Sequence, residues 1–440
     1  MTAEDLLAPL DLAFWNIESA DHPMHLGALG VFSAASPAAA AHAADLLAGR
    51  AAAVPGLRMR IRDVWQPLAF GGAVREPDPD FDPLHHVRLH ERAADFQAEA
   101  GRLMERPLER GRPPWEAHVL PGADGDSFAV LFKFHHALAD GLRALTLAAA
   151  VLDPMDMPAP RPRPARPPAP LLPDVRRLPD LLRGAVSEVG RALDIGASVA
   201  VSGLGVRSSA ALTAESTGTR RTAGVVIDLD DVHRVRKVAG GTVNDVLIAV
   251  VAGALRRWLD ERGDGSAGVR PRALIPVSQR RPRTAHPRGN RLSGYMLRLP
   301  VDDPDPLGRL AHCRTAMDRN KDAGPGRGAG AVALLADHVP ALGHRLGGPV
   351  VGQAARLWFD ILVTSVPLPG FGLRLGGNPL AEVFPYAPLA RGQALAVAVS
   401  TYRGQVHYGL VADAEAVPDL DRFAGALTAE VETLITACGS

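Results

Sequence analysis

Two adjacent histidines, His135 and His136, end an apolar run and are followed by Asp140 and Gly141 in FKFHHALADGLRAL, residues 132 to 145. A neutral imidazole, with an unperturbed pKa of ~6.5, is the natural acceptor for a hydroxyl or amine proton near neutral pH. Three plainer roles compete with this one: core histidines satisfied by hydrogen bonds, metal ligands, or a charged turn that caps a helix. A metal site needs a third and a fourth ligand, and no His-x-x-x-His or cysteine pair lies nearby. Consecutive strand residues project to opposite faces, so one role cannot serve both imidazoles. One is expected to be held by the core and the other to face solvent or substrate.

The flanking residues must position them. Phe128, Val130, Phe132 and Phe134 alternate with Ala129, Leu131 and Lys133, so both faces are mostly apolar. This pattern predicts a central, buried strand. Leu142, Leu145, Ala149 and Leu152 then recur at helical spacing, which makes His135 to Gly141 a tight strand-to-helix connection. Rigidly mounted loops of this kind favour functional residues. Further strands are expected in HLGALGVF, GLRMRIRDV, GVVIDL, PRALIPVS, YMLRLPV, DILVTSV, ALAVAVSTY and HYGLVAD. Helices are expected over 37–52, from Val243 to about 261, and from about Pro418 onward. Both halves read as mixed α/β layers, each a sheet covered by helices.

The clearest boundary is DPMDMPAPRPRPARPPAP, residues 153 to 170, where proline denies the backbone the donors that helices and ladders need. The expected division is a domain over 1–152, a Pro-rich linker and helical segment over 153–222, and a domain over 223–440. Within 171–206, Val175, Leu178, Leu182, Val186 and Val189 share one helical face, with Arg176, Arg177 and Arg183 elsewhere. This segment reads either as an inter-domain helix packed on the body or as an interfacial helix touching anionic lipid.

Lys plus Arg balance Asp plus Glu at 48 each, which argues against a basic field for nucleic acid. The two cysteines, Cys313 and Cys438, are too few for a disulfide framework or a thiolate zinc site. No run reaches the ~18 uninterrupted apolar residues of a membrane span, and MTAEDLLAPLDLAFW carries acids where a secretion signal carries basic residues. A soluble or peripheral, cytoplasmic protein is expected.

The remaining candidates have structural readings too. In TVND, Thr242 can cap a helix with Asp245 in its first turn. Trp115 in RPPWE reads as core filling in an edge-strand turn, and His85 and His86, with no following Asp-Gly, as an ordinary strand start. Cys313 stands beside His312 without the context of a triad, and no Gly-x-Ser-x-Gly elbow occurs, so a serine acyl-enzyme is not expected.

HHALADG resembles the HHxxxDG signature of the CoA-dependent acyltransferase superfamily, which includes chloramphenicol acetyltransferase and peptide-synthetase condensation domains. PLDLAFWNIESADHPMHLGAL, RPPWEAHVL, NDVLIAVVAGALRRWL, IPVSQR, GNRLSGYMLRLP and TSVPLPG resemble, in order and over nearly the whole chain, the bacterial wax ester synthase/diacylglycerol acyltransferase family. Two departures are Pro114, where the family has leucine, and Ser365, where it has asparagine. The resemblance implies two chloramphenicol-acetyltransferase-like α/β (α+β) domains with the active site between them. It also implies that His136, beside His135, is the base, that Asp140 is structural, and that Gly141 allows a close turn.

Asn244, Asn290 and Ser365 are then the candidate oxyanion or substrate contacts. Arg280 is the expected partner of Asp140, and Asp245 a structural support. The implied reaction moves a long-chain acyl group from acyl-CoA, a co-substrate, to diacylglycerol or a long-chain alcohol at a membrane surface or lipid droplet, with no cofactor or metal. Rival readings are a condensation-domain-like or other small-molecule acyltransferase, a membrane glycerolipid acyltransferase, whose His-x-x-x-x-Asp spacing His135 and Asp140 satisfy, and a non-catalytic lipid-binding protein.

Overall fold

The structure is a computed structural model that describes residues 6–64, 72–154, 208–278, 292–323, 359–368 and 370–439. The first half forms α1 (Pro9–Ile17), β1 (His25–Ser33), α2 (Ala39–Ala51), β2 (Met59–Val64), β3 (Gly72–Pro77), β4 (Val87–Leu89), α3 (Phe96–Met104), β5 (Trp115–Pro121), β6 (Ser127–His135) and α4 (Gly141–Ala149). The second half forms β7 (Arg220–Asp228), α5 (Leu229–Ala239), α6 (Val243–Arg262), β8 (Arg272–Ser278), β9 (Leu292–Arg298), α7 (Pro306–Ala323) and β10 (Ile361–Ser365). It continues with β11 (Arg374–Leu375), β12 (Asn378–Tyr386), β13 (Leu395–Tyr402), β14 (Gln405–Asp413) and α8 (Leu420–Gly439).

The strands build two mixed six-stranded sheets, ordered β11-β12-β1-β6-β5-β4 and β7-β14-β13-β10-β8-β9, beside the β2-β3 pair. β6 is central as its alternation predicts, antiparallel to β1 on one side and β5 on the other, with His25 opposite His135. Its phenylalanine face packs under α2 and α4, where Phe128, Val130, Phe132 and Phe134 meet Ala43, Leu47, Ala144 and Leu147. Ala129 and Leu131 on the other face join Leu29, Phe384 and Tyr386 against Ala396, Ala398 and Val411 of the second sheet. This apolar layer is where the sheets meet. β14 crosses β12 so closely there that a Cβ on Gly409 would collide with the Pro385 carbonyl. Only glycine fits.

The second sheet is covered by α6 and α8, whose Val250, Leu255, Trp258, Phe423 and Leu427 are fully buried. α6 starts at the expected capping box of Thr242 and Asp245 and stops at Gly263, which takes the left-handed conformation at φ 81°. No single helix among the described residues is long and apolar enough to cross a membrane; α5 and α6 pass that test only as a pair bent by 99°.

Sheet membership does not follow the expected linear division at 152 and 223. Residues 374–386, from the second half, supply β11 and β12 to the first sheet, with Leu29 opposite Phe384. Strand NPLAEVFPY carries Pro379 and Pro385, residues that weaken a strand reading because proline cannot donate to a ladder. Most of the linker and the whole amphipathic segment 171–206 lie outside the described residues.

Candidate active site

The HHALADG loop is fixed at its start by backbone. The His135 amide donates to the Pro114 carbonyl at 2.9 Å and the His136 amide to the Met24 carbonyl at 2.8 Å. The amides of Leu138 and Ala139 return to the His135 carbonyl at 2.8 and 3.2 Å, closing a tight turn. Asp140, buried, then caps α4 by accepting from the Arg143 amide at 2.9 Å. Gly141 brings the loop against the second half. A Cβ there would sit 3.2 Å from the Val366 side chain, and Val366 directly follows Ser365 at the exposed end of β10. The expected oxyanion candidate Ser365 is thereby brought to the motif loop.

β6 ends at His135, so strand alternation does not separate the two imidazoles, but their surroundings differ. His135 is fully buried and its Nδ1 accepts from the Ala137 amide at 3.0 Å. An accepting nitrogen carries the lone pair, so in the neutral ring the proton sits on Nε2. That atom lies 3.3 Å from Glu18 Oε1, an approach too oblique for a straight hydrogen bond, and Trp15 meets the ring edge-on at 5.0 Å. His136 is half-buried and stacks on Phe14, with ring centroids 4.1 Å apart and an interplanar angle of 19°. Burial pulls its pKa down to about 4, against the opposing influence of its own backbone carbonyl and the Asp140 charge. At neutral pH His136 is the unprotonated form that a base requires.

A second tier of side chains holds these rings. Burial alone would raise the Glu18 pKa. The contacts with His135, the Met24 amide at 3.1 Å and Arg110 at 3.6 Å outweigh that and leave it below the ordinary value. Arg75, buried, donates through Nη2 both to Asp11 and to the Ala137 carbonyl. Arg110 lies 4.3 Å over the Trp15 ring and donates to its carbonyl at 2.7 Å. α1 is thus anchored against the loop from three directions. Asp11, Phe14, Trp15, Glu18 and Arg75 are not singled out by composition or spacing. The only signal near four of them is the stretch PLDLAFWNIESADHPMHLGAL, which carries part of the family resemblance.

In the second half, Asp245 forms the capping box through one carboxylate oxygen. Its Oδ2 accepts from the Thr242 amide and hydroxyl at 2.8 Å each, and the Thr242 hydroxyl accepts from the Asp245 amide at 3.2 Å. Asn244, beside it, is half-exposed in the first turn of α6. Asn290 and Arg280 lie outside the described residues.

Trp115 is core filling, as expected, and its indole donates to the Leu57 carbonyl at 2.6 Å. The strand it opens lies between β4 and β6, however, so it is not at the sheet edge. His86 stacks on Trp115 at 4.8 Å and bonds its carbonyl at 2.9 Å, a structural role. Burial pushes the Cys313 thiol up to about 12, which leaves it a poor nucleophile. Among the described residues no group of three or more His, Cys, Asp or Glu is arranged to hold a metal ion.

The wax ester synthase/diacylglycerol acyltransferase catalytic domain matches residues 7–247, and the C-terminal domain of the same family matches residues 288–434. The Mycobacterium tuberculosis protein named "Probable diacyglycerol O-acyltransferase tgs2" is 30% identical to the chain, over 99% of the chain and 100% of its own length. The solved wax ester synthase/diacylglycerol acyltransferase from Marinobacter aquaeolei VT8 covers 100% of both chains with a TM-score of 0.72 at 23% identity. Trichothecene 15-O-acetyltransferase from Fusarium sporotrichioides shares the fold at a TM-score of 0.63 and 10% identity, over 98% of this chain and 95% of its own. With both family domains matched in order, and with the paired histidines, capping aspartate and glycine of HHALADG on one loop that meets Val366 of the second half, the chain belongs to the wax ester synthase/diacylglycerol acyltransferase family of acyltransferases.

Proposed function

We propose that the protein transfers a long-chain acyl group from acyl-CoA to the free hydroxyl of diacylglycerol, and also to long-chain alcohols, with His136 as general base. The observation that carries this is the neutral, half-buried imidazole of His136, with its pKa drawn to about 4, on a loop that meets the second half at Gly141. A ring nitrogen of His136 takes the hydroxyl proton as the acceptor oxygen attacks the thioester carbonyl. The tetrahedral oxyanion needs fixed donors, for which Asn244, Asn290 and Ser365 are the candidates. Its collapse breaks the carbon–sulfur bond, and the thiolate of CoA takes the proton back from the imidazolium. Transfer is direct, because the buried Cys313 has no activating base and, among the described residues, no serine has a nucleophile's setting.

Asp140 holds the loop, as the cap of α4 and, in this proposal, by pairing with Arg280. The enzyme reaches its lipid acceptor as a peripheral protein at a membrane or droplet surface, with the basic face of residues 171–206 as the contact. The substrate assignment draws on the name of the mycobacterial relative. It is tested by incubating purified protein with labelled acyl-CoA and, separately, diacylglycerol, hexadecanol, chloramphenicol and a primary amine, then separating the products. Labelled triacylglycerol, with wax ester from hexadecanol, is the expected result. Label passing only to chloramphenicol or the amine would replace this reading with that of a small-molecule acyltransferase.

A further inference from the structure

Glu18 follows α1 at its C-terminal end and is almost enclosed, with 5% of its side chain exposed. A buried carboxylate is costly unless paired and hydrogen-bonded, so its contacts indicate what it is for. Oε1 accepts from the Met24 amide at 3.1 Å and faces His135 Nε2 at 3.3 Å. The third contact, Arg110, is 3.6 Å away on a side chain 48% exposed, a pairing that water screens. The two enclosed contacts both lead to the motif. Met24, whose amide binds Glu18, accepts the His136 amide on its carbonyl at 2.8 Å. His135, whose Nε2 faces Glu18, accepts the Ala137 amide on Nδ1 at 3.0 Å. The backbone on either side of the His136 side chain is therefore tied to one carboxylate, by two routes.

We infer that Glu18 is the positioning residue of the HHALADG loop: its carboxylate holds His135 in the tautomer protonated on Nε2 and, through Met24, sets the backbone from which His136 projects. If the proton moved to Nδ1 it would point at the Ala137 amide, donor against donor, and the turn after His136 would lose its internal bond. A carboxylate facing Nε2 penalises that swap, because the unprotonated Nε2 would then present its lone pair to a negative charge. His135 thus acts through geometry, and His136 alone meets the reacting atoms. The inference rests on the proposed base role of His136 for its effect on rate, but its structural half can be read without any assay.

The test uses full-length protein labelled with nitrogen-15 at histidine, with the His135 signals assigned by a His135→Gln variant, and compares Glu18→Gln with Glu18→Asp. Glutamine keeps the reach and the acceptor oxygen while losing the charge. Aspartate keeps the charge but withdraws it by one methylene. In the wild type, long-range proton–nitrogen spectra should show His135 Nδ1 as the bare nitrogen and Nε2 as the protonated one, and in Glu18→Gln, where an acceptor oxygen remains without the charge, this preference should weaken. In Glu18→Asp the two forms should mix, and kcat should fall by roughly 10- to 100-fold, the range for loss of a partner that orients a functional imidazole, with KM for acyl-CoA little changed. A Glu18→Asp protein with the wild-type His135 tautomer and wild-type kcat would overturn the inference. So would a loss confined to KM. If His136→Ala retained activity while the Glu18→Asp spectrum changed as described, the base assignment would fall and the positioning contact would stand.

Discussion

His136 is set apart from His135 by its surroundings rather than its chemistry. Burial disfavours its charged form, so the folded protein binds this proton only near pH 4, whereas the unfolded chain binds it near the ordinary value of ~6.5. The stability that depends on a neutral His136 is accordingly full above ~6.5 and is lost as pH falls toward 4. Activity should follow the folded value. The acid limb of kcat/KM is expected to bend near pH 4, and a bend between 6 and 7 would mean an imidazole far better hydrated than the stacking on Phe14 implies. Asp140 offers a second test, because its two functions separate by substitution. Asp140→Ala removes the cap on α4, worth ~1 kcal/mol, whereas Asp140→Asn keeps an acceptor for the Arg143 amide and removes only the charge. A midpoint that falls in Asp140→Asn, less than additively with Arg280→Leu, would support the proposed ion pair; full additivity would separate the two residues. The paired histidines, Asp140 and Gly141 could be read in the sequence because they are contiguous. Glu18 and Arg75 could not, because they lie 117 and 62 residues from the loop atoms they hold, and nothing in their local spacing distinguishes them from solvated surface charges.

Most of the expected elements form as their periodicity implies, and those that escape notice have identifiable causes. α1 is a short helix whose apolar residues face different partners, Phe14 against His136 and Trp15 against His135, so no single stripe announces it. β12 is disguised by two prolines and pairs with β1, far earlier in the chain. Lys133, buried in the middle of β6, looks anomalous until α3 is considered. Its ammonium donates to the carbonyls of Leu103 and Arg106 at 2.8 Å each, while His25 meets the Met104 carbonyl at 2.9 Å, so the sheet itself caps the C-terminal end of the helix. Burial lowers the Lys133 pKa to about 8 even with Glu116 beside it. The contact between α1 and the loop likewise rests on a buried charge. Arg75→Leu would leave the Asp11 carboxylate buried without this guanidinium and free the Ala137 carbonyl, a type of change that typically costs ~3–5 kcal/mol. Urea unfolding should show that loss, and restoring much of it by adding Asp11→Asn would identify the stranded charge as its cause. An unchanged midpoint in Arg75→Leu would mean that α1 is held by its apolar contacts alone.

The two sheets meet across small residues, and the loop reaches the second half at Val366. Ala396, Ala398 and Gly409 let β13 and β14 approach β12, and Ser400 donates to the Val366 carbonyl at 2.9 Å, which steadies the residue lying against Gly141. Neither the exchange of β11 and β12 into the first sheet nor this seam can be read from hydropathy, because a fully buried strand looks the same whichever sheet receives it. Gly409→Val should therefore push the sheets apart, lowering the thermal midpoint and kcat together; a variant that kept both would show that the seam yields without moving the loop. Everything in this arrangement converges on one imidazole, and one comparison addresses it most directly: turnover of labelled acyl-CoA by His136→Ala and by wild type, at equal folded fraction by near-ultraviolet circular dichroism. Loss of a general base predicts turnover lower by ~100-fold to 10,000-fold in His136→Ala. Near wild-type turnover from that variant, correctly folded, would contradict the assignment of His136 as the base.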